Sequence, residues 1–492
     1  MDAQSLRSII KSARDLMRKD AGPNTDVDRI PQLAWILFLK SFDDFEKKRS
    51  ALNKGYTEAI PKGLRWRDWA AEANKALTGP DLIKFVNNEL FPKLAKLVGS
   101  KGFEQRDVIA SIFKELNNRI LSGYVLRQIL NLVNKVNFVN TDDIHTMAKL
   151  YEDMLVEMRD AAGSSGEFYT PRPVIRFIIN QIKPSLEKSE KILDPACGTG
   201  GFMVESLEFL RNEQKSKRDL KKLTTNTLFG IEKKPMPYLL GMMNMLLHEI
   251  DKPNIVRRNT LANPLREIST KNQYEIIVTN PPFGGEEEEG ISSNLPVGLQ
   301  TSDTALSFLL YIMYSLKNRG RCGIILPDGP LFAGGVASKI KKKLLEEFNL
   351  HTIIRLPRTV FEPYTSIATN ILFFDNTKPT KEIWYYQMKV AERLRGVTRA
   401  KEPKYTKSNP IAYEDFAEVE KWFKKKTAND NAWKIDIKDI NNFNLDSNNP
   451  NDITETIVLP ADELIDSFIE LRENIIEKFK EIKKIIDKEI PK

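Results

Sequence analysis

The stretch from Asp194 to Phe202 constrains the fold of this chain more than any other. It reads Asp-Pro-Ala-Cys-Gly-Thr-Gly-Gly-Phe and follows the apolar pair Ile192 and Leu193. Apolar residues then recur at roughly helical spacing between positions 203 and 210. Because a short apolar run gives way here to glycines and then to a helical period, the sequence predicts a strand, a glycine turn and a helix.

The glycines of this turn predict the close approach of a ligand. Gly198, Gly200 and Gly201 remove side chains that would block the backbone, and the helix start offers free N–H groups. Asp194, at the end of the strand, is an acceptor suited to a cationic ligand. The dinucleotide spacing G-x-G-x-x-G is absent, so S-adenosylmethionine, with its ammonium and sulfonium groups, fits better than NAD. This motif alone leaves open a purely structural turn of a doubly wound protein.

A second motif, Asn280-Pro281-Pro282-Phe283, follows the apolar run 274–278. The two prolines cannot donate to a sheet ladder, so they end the strand at the carboxyl edge, where open α/β sheets bind ligands. Asn280 offers an amide oxygen, Pro281 a free carbonyl and Phe283 a flat apolar face. Together these groups suit a planar ring that bears an exocyclic amine.

Composition sets broad limits on the function. The 492 residues allow two or three domains, and 75 Lys and Arg against 67 Asp and Glu give a net charge of +8, which is compatible with nucleic acid. Two cysteines, Cys197 and Cys322, indicate a reducing compartment. No membrane span or signal peptide is expected, so we predict a cytoplasmic protein. Three scattered histidines predict no metal site.

Residues 1–160 are predicted to form a helical domain, because apolar residues repeat there with a helical period. The first stripes run over residues 6–17 and 30–38. Trp66 and Trp69 lie among arginines and could stack on nucleic acid. Aromatic residues three positions apart also suit the edge of a core, which is the interpretation that we prefer.

Glu232 ends the next short apolar run, Leu228 to Ile231, 31 residues past Gly201. A carboxylate at the end of a second strand is placed to accept the ribose hydroxyls of an adenosyl group; an exposed surface glutamate is the alternative. We attribute the long spacing to the basic insertion 211–222. Residues 259–261 follow a further strand and could flank the adenine.

The apolar pattern after Phe283 completes the predicted sheet, which has seven strands. It predicts a helix over 306–316, a strand over 322–326 and a closing strand pair near 353–356 and 371–374. The lysines 339 and 341–343 are either phosphate contacts or a solvated helix face.

The acidic run 286–289 is either a mobile loop over the site or a solvated tip. An Asn-rich linker over 441–450 precedes a final helix, which packs either on a partner or on its own chain.

The two motifs resemble those of amino-group DNA methyltransferases, in which D-P-A-x-G-T-G-G binds the cofactor and N-P-P-F is catalytic. In the gamma arrangement of these enzymes, a T-P segment upstream contacts the methionine side of the cofactor. The resemblance implies S-adenosyl-L-methionine as cofactor, and Asn280, Pro281, Pro282 and Phe283 as catalytic residues. The cofactor-binding residues that it implies are Glu167, Phe168, Tyr169, Thr170, Pro171, Arg172, Asp194, Ala196, Gly198, Thr199, Gly200, Gly201 and Glu232.

Further stretches resemble one family throughout, the modification subunit of type I restriction-modification systems. They include residues 166–173, 280–285, 326–329, 350–353, 370–374 and 444–446. The family implies an α/β, Rossmann-like S-adenosylmethionine-dependent methyltransferase domain over 161–440, after the helical domain 1–160 and before a C-terminal helical tail over 441–492 for partner contact. It also implies double-stranded DNA, a DNA specificity subunit and a second modification subunit as partners. Since no G-x-x-x-x-G-K-[ST] motif is present, the restriction (helicase-nuclease) subunit is expected to be a separate chain.

Adenine N6 is inaccessible inside a duplex, so such an enzyme must flip the base out. Phe283 would stack on the ring, worth ~1 to 3 kcal/mol. Asn280 Oδ1 and the Pro281 carbonyl would accept the two N6 hydrogens and aim the nitrogen lone pair at the methyl group. No Pro-Cys pair is present, which excludes a covalent cytosine-C5 mechanism. The alternatives are a stand-alone RNA or protein (glutamine) amino-group methyltransferase and a non-catalytic cofactor-binding scaffold.

Overall fold

The computed structural model describes residues 3–138 and 170–451, apart from short gaps, together with a few positions between 469 and 480. The gaps in the two long ranges are 53, 72–75, 100–104, 115, 214–215, 251, 284–286, 289, 363–364, 396–402 and 407. Met1–Ser447 forms one compact unit and Asn448–Lys492 a second. The domain boundary that the sequence places near residue 160 lies outside the described residues.

The N-terminal part of the larger unit is helical, as its apolar stripes predict. Its helices are α1 Ala3–Met17, α2 Asp26–Leu52, α3 Trp66–Trp69, α4 Gly79–Phe85, α5 Phe91–Ala95, α6 Gln105–Phe113 and α7 Gly123–Val133. Trp66 and Trp69 are buried, at 1% and 6% exposure. Their indole N–H groups donate to Asn134 Oδ1 at 2.7 Å and to Leu64 O at 3.2 Å. The interpretation of these two side chains as core residues is therefore confirmed.

A single mixed sheet follows. Its strands, within the described residues, are β1 Ile192–Asp194, β2 Leu228–Glu232, β3 Asn254–Arg257, β4 Tyr274–Thr279, β5 Leu316–Pro327, β6 Asn349–Arg355, β7 Thr369–Asp375, β8 Glu382–Gln387 and β9 Ala432–Asp436. The order is β3-β2-β1-β4-β5-β7-β6-β8-β9. Strands β1 to β5 are parallel to their neighbours in that group, whereas β7 is antiparallel to β5 and β6. The order reverses between β1 and β4, where open α/β sheets bind ligands.

The prediction of seven strands is too low, because the sheet has nine within the described residues. Strand β8 pairs in parallel with β6, and β9 pairs with β8 in antiparallel. The core of β8 is an aromatic run, in which Ile383, Tyr385 and Tyr386 are buried. Charged residues on both sides of this short run mask its strand signal in the sequence, and its partner β6 is distant along the chain.

Helices cover both faces of the sheet. They are α8 Arg172–Ile182, α9 Gly201–Arg211, α10 Lys217–Asn226, α11 Pro235–Leu247, α12 Thr304–Ser315, α13 Asp328–Phe332, α14 Val336–Glu347 and α15 Ala417–Lys425. Alternate residues of β4 point to opposite faces. Ile276 and Val278 belong to a core cluster with α8, α9 and α11, and Ile277 to a second cluster with α12 and α14. The sheet is thus the middle of three layers.

No helix in the described part of the chain is long and apolar enough to cross a membrane.

Candidate active site

The glycine turn after β1 lies at the carboxyl edge of the sheet, beside the reversal of strand order. Gly198 and Gly200 have φ angles of 51° and 81°, which L side chains rarely adopt. A Cβ at Gly198 would meet no atom within 4 Å, so this backbone faces open space. Gly200 is the N-cap of α9, and the first N–H groups of a helix have no partner within it. The turn is therefore open to a ligand that accepts hydrogen bonds from the backbone.

Asp194 is the last residue of β1 and is only 2% exposed. Its Oδ1 accepts hydrogen bonds from Ala196 N at 3.1 Å and from Thr279 Oγ1 at 2.7 Å. Burial, reinforced by the charge of Glu232, raises the pKa of Asp194 to about 7. The carboxyl group therefore titrates near neutrality, and a bound cation would favour its ionised form.

Glu232, at the end of β2, holds the glycine turn in place. Its Oε2 accepts a hydrogen bond from Gly198 N at 2.9 Å, and its Oε1 accepts one from Lys234 N at 2.7 Å. The segment from Gly201 to Glu232 contains the helix α10 in addition to α9, so the insertion explains the long spacing. Two carboxylates thus stand at the ends of neighbouring strands, one on each side of the turn.

Helix α11 supports the same turn and also packs against α2 of the N-terminal part. Asn244 Nδ2 donates to Thr199 O at 2.9 Å. On the N-terminal side, Ser111 Oγ donates to the Tyr238 hydroxyl at 3.1 Å. One helix therefore contacts both the N-terminal helices and the glycine turn.

The T-P segment comes to the same place. Glu167, Phe168 and Tyr169 lie outside the described residues, so their positions stay predictions. Pro171 is the N-cap of α8, and Arg172 Nη1 donates to Gly201 O at 2.5 Å. The described end of this segment is thereby fixed to the first residue of α9.

Asn280 follows β4 directly and connects the second motif to the T-P segment. Its Nδ2 donates to Thr170 Oγ1 at 2.8 Å. Its Oδ1 is buried and accepts no hydrogen bond within the described structure. A buried acceptor without a donor costs roughly 1 to 3 kcal/mol, so this oxygen is suited to a donor supplied by a ligand.

The other residues of the motif are two prolines and an aromatic ring. Pro281 is buried and Pro282 exposed. Phe283 is 7% exposed and packs edge to face on Phe361, with ring centroids 5.7 Å apart and planes at 86°. The site therefore combines an unpaired amide acceptor with two aromatic rings.

Comparison with known proteins assigns this arrangement to a family. Residues 142–457 match the N-6 DNA methylase family, and residues 6–133 match the HsdM N-terminal domain. The chain is 43% identical over 472 residues to the methylase subunit of the type I restriction enzyme EcoEI from Escherichia coli. The aligned region covers 94% of this chain and 93% of that relative. This chain belongs to the type I restriction enzyme methylase subunits.

Solved structures agree with that assignment. A modification subunit of a proposed type I restriction enzyme from Vibrio vulnificus YJ016 has a TM-score of 0.81 and 45% identity, over 92% of this chain and 97% of that chain. A chain from a study of complex assembly in a type I restriction-modification system also has a TM-score of 0.81, with 35% identity and 99% coverage of both chains. The type I methylase subunit is an adenine-specific DNA methyltransferase with a mixed α/β methyltransferase fold. The family thus favours this activity over the RNA, protein and scaffold alternatives.

Sequence reasoning missed two side chains at the site of this methylase subunit. Thr279, whose hydroxyl ties Asp194 to β4, is the polar last residue of a buried strand, and its place before Asn280 is a signal that could have found it. Phe361, the partner of Phe283, follows the Leu-Pro pair after β6. Its contact joins residues 78 positions apart (361 − 283), which no local pattern predicts.

Two residues of the acidic run, Glu287 and Glu288, lie near the end of β2 in the methylase subunit. Glu287 Oε2 accepts a hydrogen bond from Asn259 Nδ2 at 3.4 Å. Lys233, next to Glu232, approaches Glu288 Oε1 at 2.7 Å. The proposed adenine flank and the acidic run are therefore linked, although residues 286 and 289 lie outside the described residues.

Proposed function

We propose that this methylase subunit transfers the methyl group of S-adenosylmethionine to adenine N6 in double-stranded DNA at the site formed by the two motifs. The observation that carries the proposal is the buried, unpaired Oδ1 of Asn280, beside Phe283 and at the carboxyl edge. An exocyclic amine of a flipped base is a donor of the right kind for this oxygen.

The chemistry of the donor set supports S-adenosylmethionine. Its sulfonium supplies an electrophilic methyl group when bound. The Asp194 and Glu232 carboxylates suit its ammonium and its ribose hydroxyls respectively, and the open backbone of the glycine turn admits the body of the molecule. We propose that Thr170, Pro171, Arg172, Ala196, Gly198, Thr199, Gly200 and Gly201 complete this site, with Glu167, Phe168 and Tyr169 of the T-P segment.

On the base side, Asn280 and Pro281 orient the amine. Asn280 Nδ2 is already held by Thr170 Oγ1, which fixes the direction of Oδ1. Oδ1 and the Pro281 carbonyl accept the two N6 hydrogens, so the nitrogen lone pair is aimed away from them and towards the methyl group. Phe283 holds the ring by stacking, and Pro282 keeps the backbone rigid. The N6–CH₃ bond would form as the S–CH₃ bond breaks, which would leave a neutral thioether, and the surplus N6 proton would leave to solvent.

We also propose that two methylase subunits assemble with one DNA specificity subunit, and that a restriction (helicase-nuclease) subunit completes the larger complex. Family membership and the missing nucleotide-binding motif support this division of labour. We retain the predicted partner-contacting tail for residues 448–492, since residues 441–447 belong to the larger unit. Within the separate unit Asn448–Lys492, Phe479 is 66% exposed, which suits a residue that contacts another chain.

Reconstitution tests the proposed function. The purified subunit alone is expected to bind S-adenosylmethionine but to methylate no specific adenine. Adding the specificity subunit should give a two-to-one complex by mass photometry and transfer of labelled methyl groups to N6 of one adenine in each strand of the target. A duplex already methylated at both adenines is the control and should accept none. Sequence-specific methylation by the subunit alone would contradict the division of labour.

The pKa of Asp194 predicts a pH dependence of cofactor binding. Because burial raises this pKa to about 7, the carboxyl group is protonated at pH 6 and must ionise to pair with the cofactor ammonium. Affinity should therefore rise several-fold between pH 6 and 7.5, with tenfold per pH unit as the upper limit. Titration calorimetry in buffers of different ionisation enthalpy should show proton release in this range.

The variant Asp194→Asn is the matched control for this pH effect. It keeps the shape of the side chain but cannot ionise, so it should bind more weakly and lose most of the rise. Any pH dependence left in the variant measures the titration of the cofactor's own amino group, whose ordinary pKa is about 8. An identical pH profile in parent and variant would exclude Asp194 as the acceptor.

A further inference from the structure

Two large apolar side chains lie exposed at the carboxyl edge of the sheet, outside the site described above. Phe332, at the end of α13 and shortly after β5, is 58% exposed, and Ile367, just before β7, is 45% exposed. The two segments are joined by a backbone hydrogen bond of 3.1 Å from Asp328 N to Ala368 O. Phe332 and Ile367 together form an apolar tip at this edge.

A buried lysine fixes the backbone of this tip. Lys341 is 1% exposed, and its Nζ donates to Leu331 O at 2.5 Å and to Ala333 O at 2.9 Å. These carbonyls stand on either side of Phe332, and Leu331 O also accepts from Leu445 N at 3.0 Å. Burial lowers the pKa of Lys341 to about 8. The phosphate-contacting and solvated-face interpretations of Lys341 are thus both wrong, because this side chain is buried and fixes the backbone on either side of Phe332.

The apolar tip stands beside the catalytic motif. Thr279 of β4 pairs with Ile324 of β5, and both strands end at the same edge, at Thr279 and at Pro327. Adjacent strands lie about 4.8 Å apart. Because α13 begins directly after β5, Phe332 follows the strand end next to the one that precedes Asn280.

Two exposed cations at the same edge of the sheet suit a polyanion such as DNA. Lys339, in the first turn of α14, is exposed, and so is Arg358, which follows β6 at the same edge. Proteins that deform DNA commonly combine cations with an exposed apolar side chain. The cations contact phosphates, and the apolar side chain enters between base steps.

We propose that Phe332 enters the duplex at the place that the flipped adenine vacates. The proposal rests on the proposed function, since a base must leave the stack before its N6 can reach Asn280. The inserted ring replaces part of the lost stacking and slows the return of the base. Phe332 is thus a positioning residue, which touches the neighbouring base pairs and not the reacting atoms.

The experiment uses the complex of this subunit with its specificity subunit, and a target duplex that carries 2-aminopurine at the methylated position. Fluorescence of this base rises when it leaves the stack. Phe332→Ala should remove most of that rise and slow methylation of the ordinary duplex by roughly tenfold, the order expected for one lost stacking contact. Cofactor binding should not change. Phe332→Leu, which keeps an apolar wedge, should retain most of the activity.

A duplex with an abasic site opposite the target adenine separates this role from a structural one. Its base pair is already broken, so flipping needs little help, and Phe332→Ala should methylate it within about twofold of the parent rate. The control Leu220→Ala removes another exposed side chain, 44% exposed on α10, and should behave like the parent on both duplexes.

Three results would overturn the role of Phe332. Normal fluorescence with Phe332→Ala would show that the ring does not assist flipping. An equal loss of rate on the abasic duplex would assign it another role, and loss of assembly would assign the tip to the specificity subunit. Failure of the proposed function itself is distinct, because the parent complex would then transfer no methyl group to either duplex.

Discussion

Replacing Asn280 by alanine is expected to lower the rate of methyl transfer by about 10²- to 10³-fold, the range for removing one transition-state hydrogen bond in a site closed to water. The buried Oδ1 is the acceptor that aims the N6 lone pair, and alanine offers none. Cofactor binding should change much less. The variant also loses the contact from Asn280 Nδ2 to Thr170 Oγ1, but a single neutral hydrogen bond contributes only about 1 kcal/mol, which limits the loss of affinity to several-fold.

Single-turnover transfer of labelled methyl groups by the complete modification complex measures the rate, and calorimetry measures cofactor affinity. Asn280→Asp is the matched variant, because its carboxylate can still accept from the base and from the Thr170 hydroxyl. It should retain more activity than the alanine variant. If Asn280→Ala transferred methyl groups at the parental rate, Asn280 Oδ1 would have no part in catalysis.

The sequence predicted the elements of the site because residues within or next to each element mark where it begins or ends. Glycines mark the turn after β1, two prolines end β4, and an apolar run ends at Glu232. Each signal placed its residue, Asp194, Glu232 or Asn280, at the end of a strand, and the carboxyl ends of parallel strands share an edge. The hydrogen bond from Gly198 N to Glu232 and the one from Thr279 to Asp194 are consistent with this expectation.

Contacts that depend on packing between distant elements could not be predicted in this way. Thr170 and Asn280 are 110 residues apart and meet only because α8 packs against the sheet. Strands β8 and β9 were missed because their pairing is non-local and the strand signal of each is short.

The burial of Lys341 is different, since the sequence did contain a signal for it. It shares the inner stripe of α14 with Ala337, Ile340, Leu344 and Leu345, so helical spacing predicts its burial even though its charge suggests solvent.

Glu232→Ala is expected to weaken S-adenosylmethionine binding by about 10- to 100-fold, because hydrogen bonds to a charged group contribute about 1.5 to 3 kcal/mol each. Two effects add in this variant. It removes the acceptor for the ribose hydroxyls, and it releases Gly198 N and Lys234 N, which now donate to the carboxylate. The conservative change Glu232→Gln should also weaken binding, since its amide NH₂ would face one of these two backbone N–H groups.

A cofactor analogue without ribose hydroxyls separates the two effects. The parent should bind S-adenosylmethionine more tightly than a 2′,3′-dideoxy analogue, whereas Glu232→Ala should bind both almost equally, because the hydroxyls have already lost their acceptor. The free energy lost on removing the hydroxyls is measured in the parent and in Glu232→Ala, and the difference between these two values is the coupling free energy between the carboxylate and the ribose. The part of the loss that persists with the analogue reports the loosened glycine turn. A coupling free energy of zero would leave Glu232 as a support of the turn and remove it from the cofactor contacts.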